Sequence, residues 1–215
     1  MKSVVILISG HGSNMQALLD ADLPDARIAA VISNQADAPG LEVAQRRAIS
    51  TRVIPHRNYP DRTAFDAALI EAIDGYCADL VVLAGFMRIL TPEFTARYRG
   101  RLLNIHPSLL PAYGGLNTHE RALADGVKLH GCTVHFVTGE LDHGPIVIQA
   151  AVPVLADDTQ ETLAARVLCE EHRIYPQAVR WFCEGRLSLS ADGKVRIDHA
   201  QRADGALIAP PLESP

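Results

Sequence analysis

The stretch that decides the fold and the chemistry of this chain is Leu102-Leu103-Asn104-Ile105-His106-Pro107-Ser108-Leu109-Leu110-Pro111. Its first residues are typical of a buried strand, and Pro107 favours extended geometry at His106, so we expect the strand to end there. Side chains two residues apart on a strand share a face, which places Asn104 beside His106. The carboxyl end of a strand is where ligands bind in open α/β sheets.

This Asn–His pair has two interpretations on its residues alone. An asparagine amide can donate a hydrogen bond to a developing oxyanion, and a histidine can move a proton near neutral pH. Alternatively, the two side chains are a satisfied pair at a strand end and carry no chemistry. The stretch itself leaves both interpretations open.

Composition restricts the class of protein. The chain has 215 residues, 48% hydrophobic and 21% charged, which predicts one globular domain with a sizeable core. The net charge of −5 gives no support for binding to nucleic acid or anionic membranes. The early apolar run Val4–Ile8 is too short for a signal peptide or a spanning helix, so we expect a soluble cytoplasmic protein. Neither a CxxC pair nor an HExxH pair is present, so no metal is indicated.

Strand and helix patterns alternate through the first 84 residues. Their regular order predicts an α/β fold with a doubly wound, mainly parallel sheet and helices on both faces. The predicted strands are Lys2–Ser9, Ile28–Ser33, Thr51–Ile54 and Asp79–Ala84, and the predicted helices run from Ser13 or Asn14 to about Asp20, over Leu41–Arg47 and over Asp61–Tyr76.

The pattern changes after Ala84. The next segment, Gly85–Leu90, is an apolar loop that carries one cation, and a Pro/Gly-rich connection follows the Leu102–His106 strand. A long helix is expected from Thr159 to about Glu184, with Thr159-x-x-Thr162 a weak cap at best. The other predicted elements are helices Pro92–Arg97 and Glu120–Ala124, strands Gly131–Val137 and Ile146–Val154 joined by Thr138–Pro145, a hairpin of Leu187–Leu189 with Val195–Ile197, and a disordered end, Ala209–Pro215.

A glycine-rich turn, Gly10-His11-Gly12-Ser13-Asn14, lies between the first strand and the first helix. Glycine lets the backbone approach an anion closely and a helix N-terminus supplies free N–H groups, which together suit a phosphate. Met15 stands where a dinucleotide fingerprint has its last glycine, which weakens a nicotinamide oxidoreductase hypothesis. An ordinary βα turn is the alternative.

Asp142 lies in the segment Glu140–Pro145 between two predicted strands. If these strands pack beside the fifth strand, its carboxylate can reach His106 and favour the protonated ring, which makes a better proton donor. A solvated loop carboxylate is the alternative. Arg88 lies in an otherwise apolar loop, an unusual place for a purely solvated cation, whereas Arg62 could be a surface residue.

Other charged and titratable residues give weaker signals. Glu171, in the predicted long helix, is on its residue type expected to face solvent. Four histidines have no assigned partner and are treated as structural: His119, His130, His135 and His172.

Several segments together resemble the folate-dependent formyltransferases, within a match that runs in order over about residues 3–187. The runs Asn-x-His-Pro-Ser-Leu-Leu-Pro and Leu-Asp-x-Gly-Pro are specific in combination. The likeness is greatest to the members that formylate glycinamide ribonucleotide in de novo purine synthesis. The segments that carry it are Ser9–Asn14, Phe86–Leu90, Asn104–Pro111, Gly131–Val137 and Leu141–Gly144.

The resemblance implies a reaction and a set of site residues. The formyl group of 10-formyltetrahydrofolate would pass to the amine of 5'-phosphoribosylglycinamide, without a metal. Asn104, His106 and Asp142 would be the catalytic trio. The remaining implied contacts are Gly12, Ser13, Asn14 and Glu171 to the ribonucleotide, and Arg62, Met87, Arg88, Ile89, Leu90 and Asn104 to the folate.

The resemblance also sets expectations for domains and partners. Residues 1–187 would form the catalytic domain and residues 188–215 a hairpin and tail. The expected partners are the two small molecules, with no nucleic acid or membrane, in a monomer or weak homodimer. Relatives that deformylate 10-formyltetrahydrofolate carry an extra N-terminal regulatory domain, for which this chain has no room. Such a deformylase is still the main alternative, followed by a nicotinamide oxidoreductase and a non-catalytic ligand sensor.

Overall fold

A mainly parallel sheet organises the chain, which a computed structural model describes at residues 1–190, 192–201, 205, 207 and 209. Its strands are β1 (Lys2–Ile8), β2 (Ala26–Ser33), β3 (Ser50–Val53), β4 (Leu80–Leu83), β5 (Leu102–His106), β6 (Leu129–Phe136) and β7 (Ile146–Pro153). Their order across the sheet is β3-β2-β1-β4-β5-β6-β7. The first five strands run parallel, and β6 and β7 follow β5 in antiparallel pairing.

Helices cover both faces of this sheet. They are α1 (Ser13–Asp20), α2 (Pro39–Arg46), α3 (Arg62–Asp74), α4 (Pro92–Arg97), α5 (Thr118–Ala124) and α6 (Gln160–Cys183). Side chains of α1, α2, α5 and α6 pack into the core on one face, and those of α3 and α4 into the core on the other. In the described part of the chain, no helix combines the length and apolar character that a membrane crossing requires.

The alternation of side chains along β1 explains its unbroken apolar sequence. Val4, Ile6 and Ile8 lie in the core beneath α6, whereas Val5 and Leu7 lie in the core beneath α3. A strand that is covered on both faces needs apolar residues at every position. The predicted doubly wound, mainly parallel α/β fold is therefore confirmed.

The boundaries of most helices and strands differ from the predicted ones by a few residues. The reciprocal hydrogen bonds of a capping box join Thr159 and Thr162, so the expectation of a weak cap at α6 was wrong. A 3₁₀ helix at His56–Asn58, between β3 and α3, was not predicted. The predicted hairpin is confirmed as β8 (Leu187–Leu189) and β9 (Val195–Ile197).

Two expectations about the end of the chain stay untested. Apart from residue 209, the segment expected to be disordered, Ala209–Pro215, lies outside the described residues. The division into a catalytic domain at 1–187 and an appendage at 188–215 stays a prediction.

Tyr175 of α6 joins strands β4 and β5 through its hydroxyl. Its side chain is fully buried, and its hydroxyl lies 2.9 Å from the carbonyl oxygen of Leu83 and 3.1 Å from that of Leu103. These carbonyls belong to β4 and β5. Because a hydroxyl has one proton, it donates to one of the two carbonyls at a time. The contact fixes the long helix against the last residue of β4 and the second residue of β5.

Replacing Tyr175 by phenylalanine should lower the free energy of unfolding by about 1–3 kcal/mol, because the buried carbonyl groups of Leu83 and Leu103 lose a side-chain donor. Urea denaturation monitored by circular dichroism measures this change. Tyr76→Phe is the matched control, since the Tyr76 hydroxyl contacts Ser50 at the surface, and we expect a change within about 0.5 kcal/mol. Equal losses in the two variants would contradict the role of Tyr175.

Candidate active site

Two polar side chains stand at the carboxyl end of β5. Asn104 and His106 are two residues apart on the strand and so share a face, as the sequence predicts. The Nδ2 atom of Asn104 lies 3.1 Å from Nε2 of His135, and Nε2 of His106 lies 3.0 Å from the carbonyl oxygen of Tyr113. Because a carbonyl oxygen only accepts, Nε2 of His106 carries the proton of that bond.

The carboxylate of Asp142 faces this pair from the loop between β6 and β7. Its Oδ2 lies 3.5 Å from Nδ1 of His106, and its Oδ1 lies 3.9 Å from Nε2 of His135. The backbone N–H of Gly115 donates to Oδ2 at 2.8 Å, and the Asp142 side chain is only 8% exposed. The structure thus brings the three predicted residues together, and the alternative of a solvated loop carboxylate is wrong.

Both ring nitrogens of His106 face acceptors. Nε2 faces the Tyr113 carbonyl, and Nδ1 faces the Asp142 carboxylate. Only the doubly protonated ring can donate in both directions at once. A buried imidazolium next to a carboxylate is suited to giving up a proton to a bound molecule and then being reprotonated.

The loop that carries Asp142 has a backbone shape that few residues can adopt. Asp142 itself has a φ of 55°, in the left-handed region that aspartate tolerates better than most residues. A Cβ atom on Gly144 would lie 1.7 Å from the carbonyl oxygen of Phe136. Glycine at this position therefore lets the chain turn back tightly against β6 and hold the carboxylate over the end of β5.

His135 was treated as structural in the sequence, yet it contacts the side chain of Asn104. Its Nδ1 lies 3.0 Å from the carbonyl oxygen of Phe136 and must carry the proton, which leaves Nε2 to accept from the Asn104 amide. Burial lowers the pKa of His135, so the neutral ring is favoured. The second N–H of the Asn104 amide stays available to a ligand.

The glycine-rich turn after β1 opens toward a pocket. Helix α1 begins at Ser13, and its N-cap, Gly12, has a φ of 72° and no side chain to occupy the first-turn N–H groups. The start of α2 packs closely behind the turn, because a Cβ atom on Gly40 would lie only 3.0 Å from the Gly10 carbonyl oxygen. Gly40 was not among the site residues predicted from the sequence.

Glu171 lies behind this turn rather than in solvent. It is 7% exposed, and the Nδ2 amide of Asn14 donates to its Oε2 at 2.6 Å. Burial raises the pKa of Glu171, and the bond from Asn14 partly offsets that rise. The residue-type expectation of a solvent-facing charge was wrong, whereas the grouping of Glu171 with Asn14, implied by the resemblance, matches this contact.

The segment Gly85–Leu90 forms the other side of the pocket. It has no regular secondary structure, and Met87 and Ile89 are 70% and 57% exposed. Arg88 is half-buried, and its charge and that of the exposed Arg62 both act on the buried carboxylate of Asp66. Arg62, Arg88 and their flanking residues therefore belong to one surface beside the turn.

A pocket of about 280 Å³ separates the two loops. That volume is near the lower end of the range for small-molecule sites. Strand β4 lies between β1 and β5. The pocket and the Asn104–His106–Asp142 group are therefore neighbours at the carboxyl-end side of the parallel strands. The lining residues are Ser9, Gly10, His11, Gly12, Ser13, Asn14, Ala84, Gly85 and Met87.

Comparison with known proteins identifies the family. The profile described as "Formyl transferase" matches residues 2–179. The chain belongs to the formyl transferase family. A curated phosphoribosylglycinamide formyltransferase of Escherichia coli is 52% identical over 190 residues, which cover 87% of this chain and 90% of that protein.

Solved structures of formyl transferases have the same fold. Glycinamide ribonucleotide transformylase 1 from Symbiobacterium toebii is 52% identical, with a TM-score of 0.88 over 92% of this chain and 94% of that one. A formyltetrahydrofolate deformylase from Pseudomonas syringae is 32% identical, with a TM-score of 0.84 over 91% of this chain and 65% of that one. The chain is therefore similar in structure both to a transformylase and to a deformylase, the two kinds of enzyme that the sequence analysis considers.

Two more histidines lie near the trio of this formyl transferase. Nδ1 of His119 is 3.2 Å from Nε2 of His130, and the ring of Tyr113 contacts His130 edge-on. Burial and the neighbouring His119 lower the pKa of His130 to about 4. Within the described ranges, no group of three or more His, Cys, Asp or Glu side chains is placed to hold a metal ion.

The buried, neutral His130 makes stability depend on pH. Its pKa is depressed from 6.5 to about 4 in the folded chain, so unfolding below about pH 6.5 takes up a proton. Lowering the pH from 7 to 5 should therefore cost about 2 kcal/mol of unfolding free energy through this group. Urea titrations of wild type and His130→Gln at both pH values test this, and the variant should lose correspondingly less. An equal loss in the two proteins would contradict it.

Proposed function

We propose that this formyl transferase is a phosphoribosylglycinamide formyltransferase. It transfers the formyl group of 10-formyltetrahydrofolate to the amine of 5'-phosphoribosylglycinamide, which gives formylglycinamide ribonucleotide and tetrahydrofolate in purine biosynthesis. One observation carries the proposal. The open N-terminus of α1, which suits a phosphate, lies at the same side of the sheet as the Asn104–His106–Asp142 group, which suits acyl transfer. The 52% identity to the Escherichia coli enzyme of that name supports it.

The ribonucleotide is assigned to the turn after β1. Its phosphate would accept hydrogen bonds from the first-turn N–H groups of α1, contributed by Ser13 and Asn14 after the close approach at Gly12. Glu171, held by Asn14, would face the ribose hydroxyls. A carboxylate is a strong acceptor for hydroxyl donors.

The folate is assigned to the opposite wall of the pocket. Arg62 and the segment Met87–Leu90 would contact it, with Asn104 at the formyl group. The exposed apolar side chains of Met87 and Ile89 suit an aromatic ring system, and Arg62 suits the carboxylates of the folate tail. In this proposal the formyl carbon would lie between the glycine-rich turn and the Met87–Leu90 segment.

The reaction then needs one proton donor and one oxyanion donor. The lone pair of the substrate amine attacks the formyl carbon, and the carbonyl electrons move onto oxygen. The Asn104 amide donates to that oxyanion. As the bond from carbon to N10 breaks and the carbonyl re-forms, His106 supplies a proton to N10, and the proton that the attacking nitrogen loses returns to the His106 ring. Asp142 stabilises the charged ring of His106 between these steps.

A deformylase is the second candidate, supported by the Pseudomonas syringae structure with a TM-score of 0.84. In that reaction water replaces the amine as the acceptor of the formyl group. The two reactions leave the same folate product but differ in their need for the ribonucleotide. The cytoplasm as compartment, and a monomer or weak homodimer as assembly, stay predictions.

Turnover of 10-formyltetrahydrofolate, followed by absorbance with and without 5'-phosphoribosylglycinamide, tests the proposed function. We expect turnover that depends on the ribonucleotide, because an amine held at the formyl carbon outcompetes water. Chromatography should show formylglycinamide ribonucleotide in an amount equal to the tetrahydrofolate formed. Turnover at the same rate without the ribonucleotide would make the protein a deformylase.

Substituting the trio tests the assigned roles. Asn104→Ala should lower kcat by about 10²–10³-fold, and His106→Ala by about 10²–10⁴-fold. Circular dichroism and thermal melting should show that both variants stay folded. Asn58→Ala and His199→Ala are matched controls, because both residues are exposed and neither lines the pocket. A kcat within about twofold of wild type in either trio variant would refute that residue's role.

A further inference from the structure

The loop Gly85–Leu90 is fixed by a side chain at each end. Near its start, the backbone N–H of Met87 donates to Oγ of Ser9 at 2.8 Å. Just after its end, the backbone N–H of Thr91 donates to Oδ2 of Asp66 at 2.6 Å. The two acceptors come from different elements, the end of β1 and the second turn of α3.

Ser9 is oriented by a network of its own. Its hydroxyl donates to Oδ1 of Asn34 at 2.6 Å, and the Asn34 amide contacts Nδ1 of His56 at 3.1 Å. With its proton committed to Asn34, the Ser9 oxygen presents a lone pair to Met87. The backbone N–H of Ser9 also donates to the Gly85 carbonyl at 3.2 Å. The start of the loop is thus joined to the ends of both β1 and β2.

Asp66 is a buried carboxylate with an unusual environment. It is 2% exposed, and its Oδ1 has no hydrogen-bond partner among the described residues. Burial raises the pKa of Asp66, while the bond from Thr91 and the charges of Arg62 and Arg88 lower it. A buried carboxyl group with so few partners costs stability that an apolar residue at this position would not cost.

Between the anchors the loop is open. In the described part of the chain, the backbone N–H groups of Arg88, Ile89 and Leu90 have no hydrogen-bond partner. An extended segment with free backbone groups would otherwise sample many conformations, and fixing each residue costs about 1–2 kcal/mol of conformational entropy. Two anchors remove much of that cost before a ligand binds.

We infer that Ser9 and Asp66 are positioning residues for the folate cosubstrate, which act by holding Gly85–Leu90 in its binding shape. The inference rests on the proposed function, because that function assigns the folate to this loop. Neither residue needs to touch the reacting atoms. Their loss should therefore weaken folate binding and leave the chemical step largely intact.

The test compares Ser9→Ala and Asp66→Ala with two matched controls. Ser33→Ala removes a buried serine hydroxyl at the end of β2 that accepts from the Gln35 N–H, and Asp74→Ala removes a carboxylate of α3 that pairs with Arg97 of α4. Steady-state kinetics would give kcat and both KM values for each variant. Calorimetry with tetrahydrofolate would give its affinity directly, and thermal melting would report stability.

Loss of either anchor should raise the KM for 10-formyltetrahydrofolate and the Kd for tetrahydrofolate about tenfold or more, the worth of a hydrogen bond to a charged or oriented acceptor. The KM for the ribonucleotide and kcat should change by less than about threefold. Ser9→Thr and Asp66→Asn keep an acceptor oxygen and should recover most of the affinity. The two controls should lower the melting temperature without changing folate affinity.

Two results would overturn the inference. One is a fall in stability with an unchanged folate KM, and the other is an equal rise in both KM values, since either would make the anchors merely structural. Wild-type protein that binds no tetrahydrofolate would be a different failure, because it would remove the proposed function together with the inference.

Discussion

The site depends on one constraint: the parallel strands β1, β4 and β5 end on the same side of the sheet. Parallel strands place their carboxyl ends together, and the stretch Val4–Ile8 and strand β4 are apolar throughout, so neither offers a polar side chain to a ligand. Polar residues therefore collect in the connections that leave this side: the turn after β1, the loop after β4 and the end of β5. Tyr175 joins α6 to the last residue of β4 and to the neighbouring strand β5.

The antiparallel strands β6 and β7 and the loop between them contribute two side chains of the site, His135 and Asp142. Because β6 pairs with β5 in antiparallel register, Asn104 lies directly opposite His135, and the chain then turns back over the strand end through Asp142. The reversal of direction after β5 therefore delivers both the partner of Asn104 and the carboxylate beside His106.

Sequence could predict the parts of this arrangement that are local. The apolar runs identified the buried strands, and the Asn-x-His pattern before Pro107 located the two groups on one face. The partner of Asn104 could not be predicted, because its identity depends on the register between β5 and β6. Glu171 was misjudged on residue type alone, although Val167, Ile174 and Tyr175 place it on the buried face of α6, a periodicity that was available in the sequence.

Ser9 joins the two substrate loops into one unit. It is the residue from which the phosphate turn departs, and its hydroxyl also accepts from the first part of the folate loop. Removing the hydroxyl frees the loop at Met87, whereas the glycine-rich turn stays joined to Ser9 through the main chain. Pockets built from independent loops would have to order each loop separately as each substrate binds, and would lose binding free energy both times. If the two loops bind the two substrates as proposed, sharing one anchor at a strand end would let the sheet hold the distance between amine and formyl group, which acyl transfer requires.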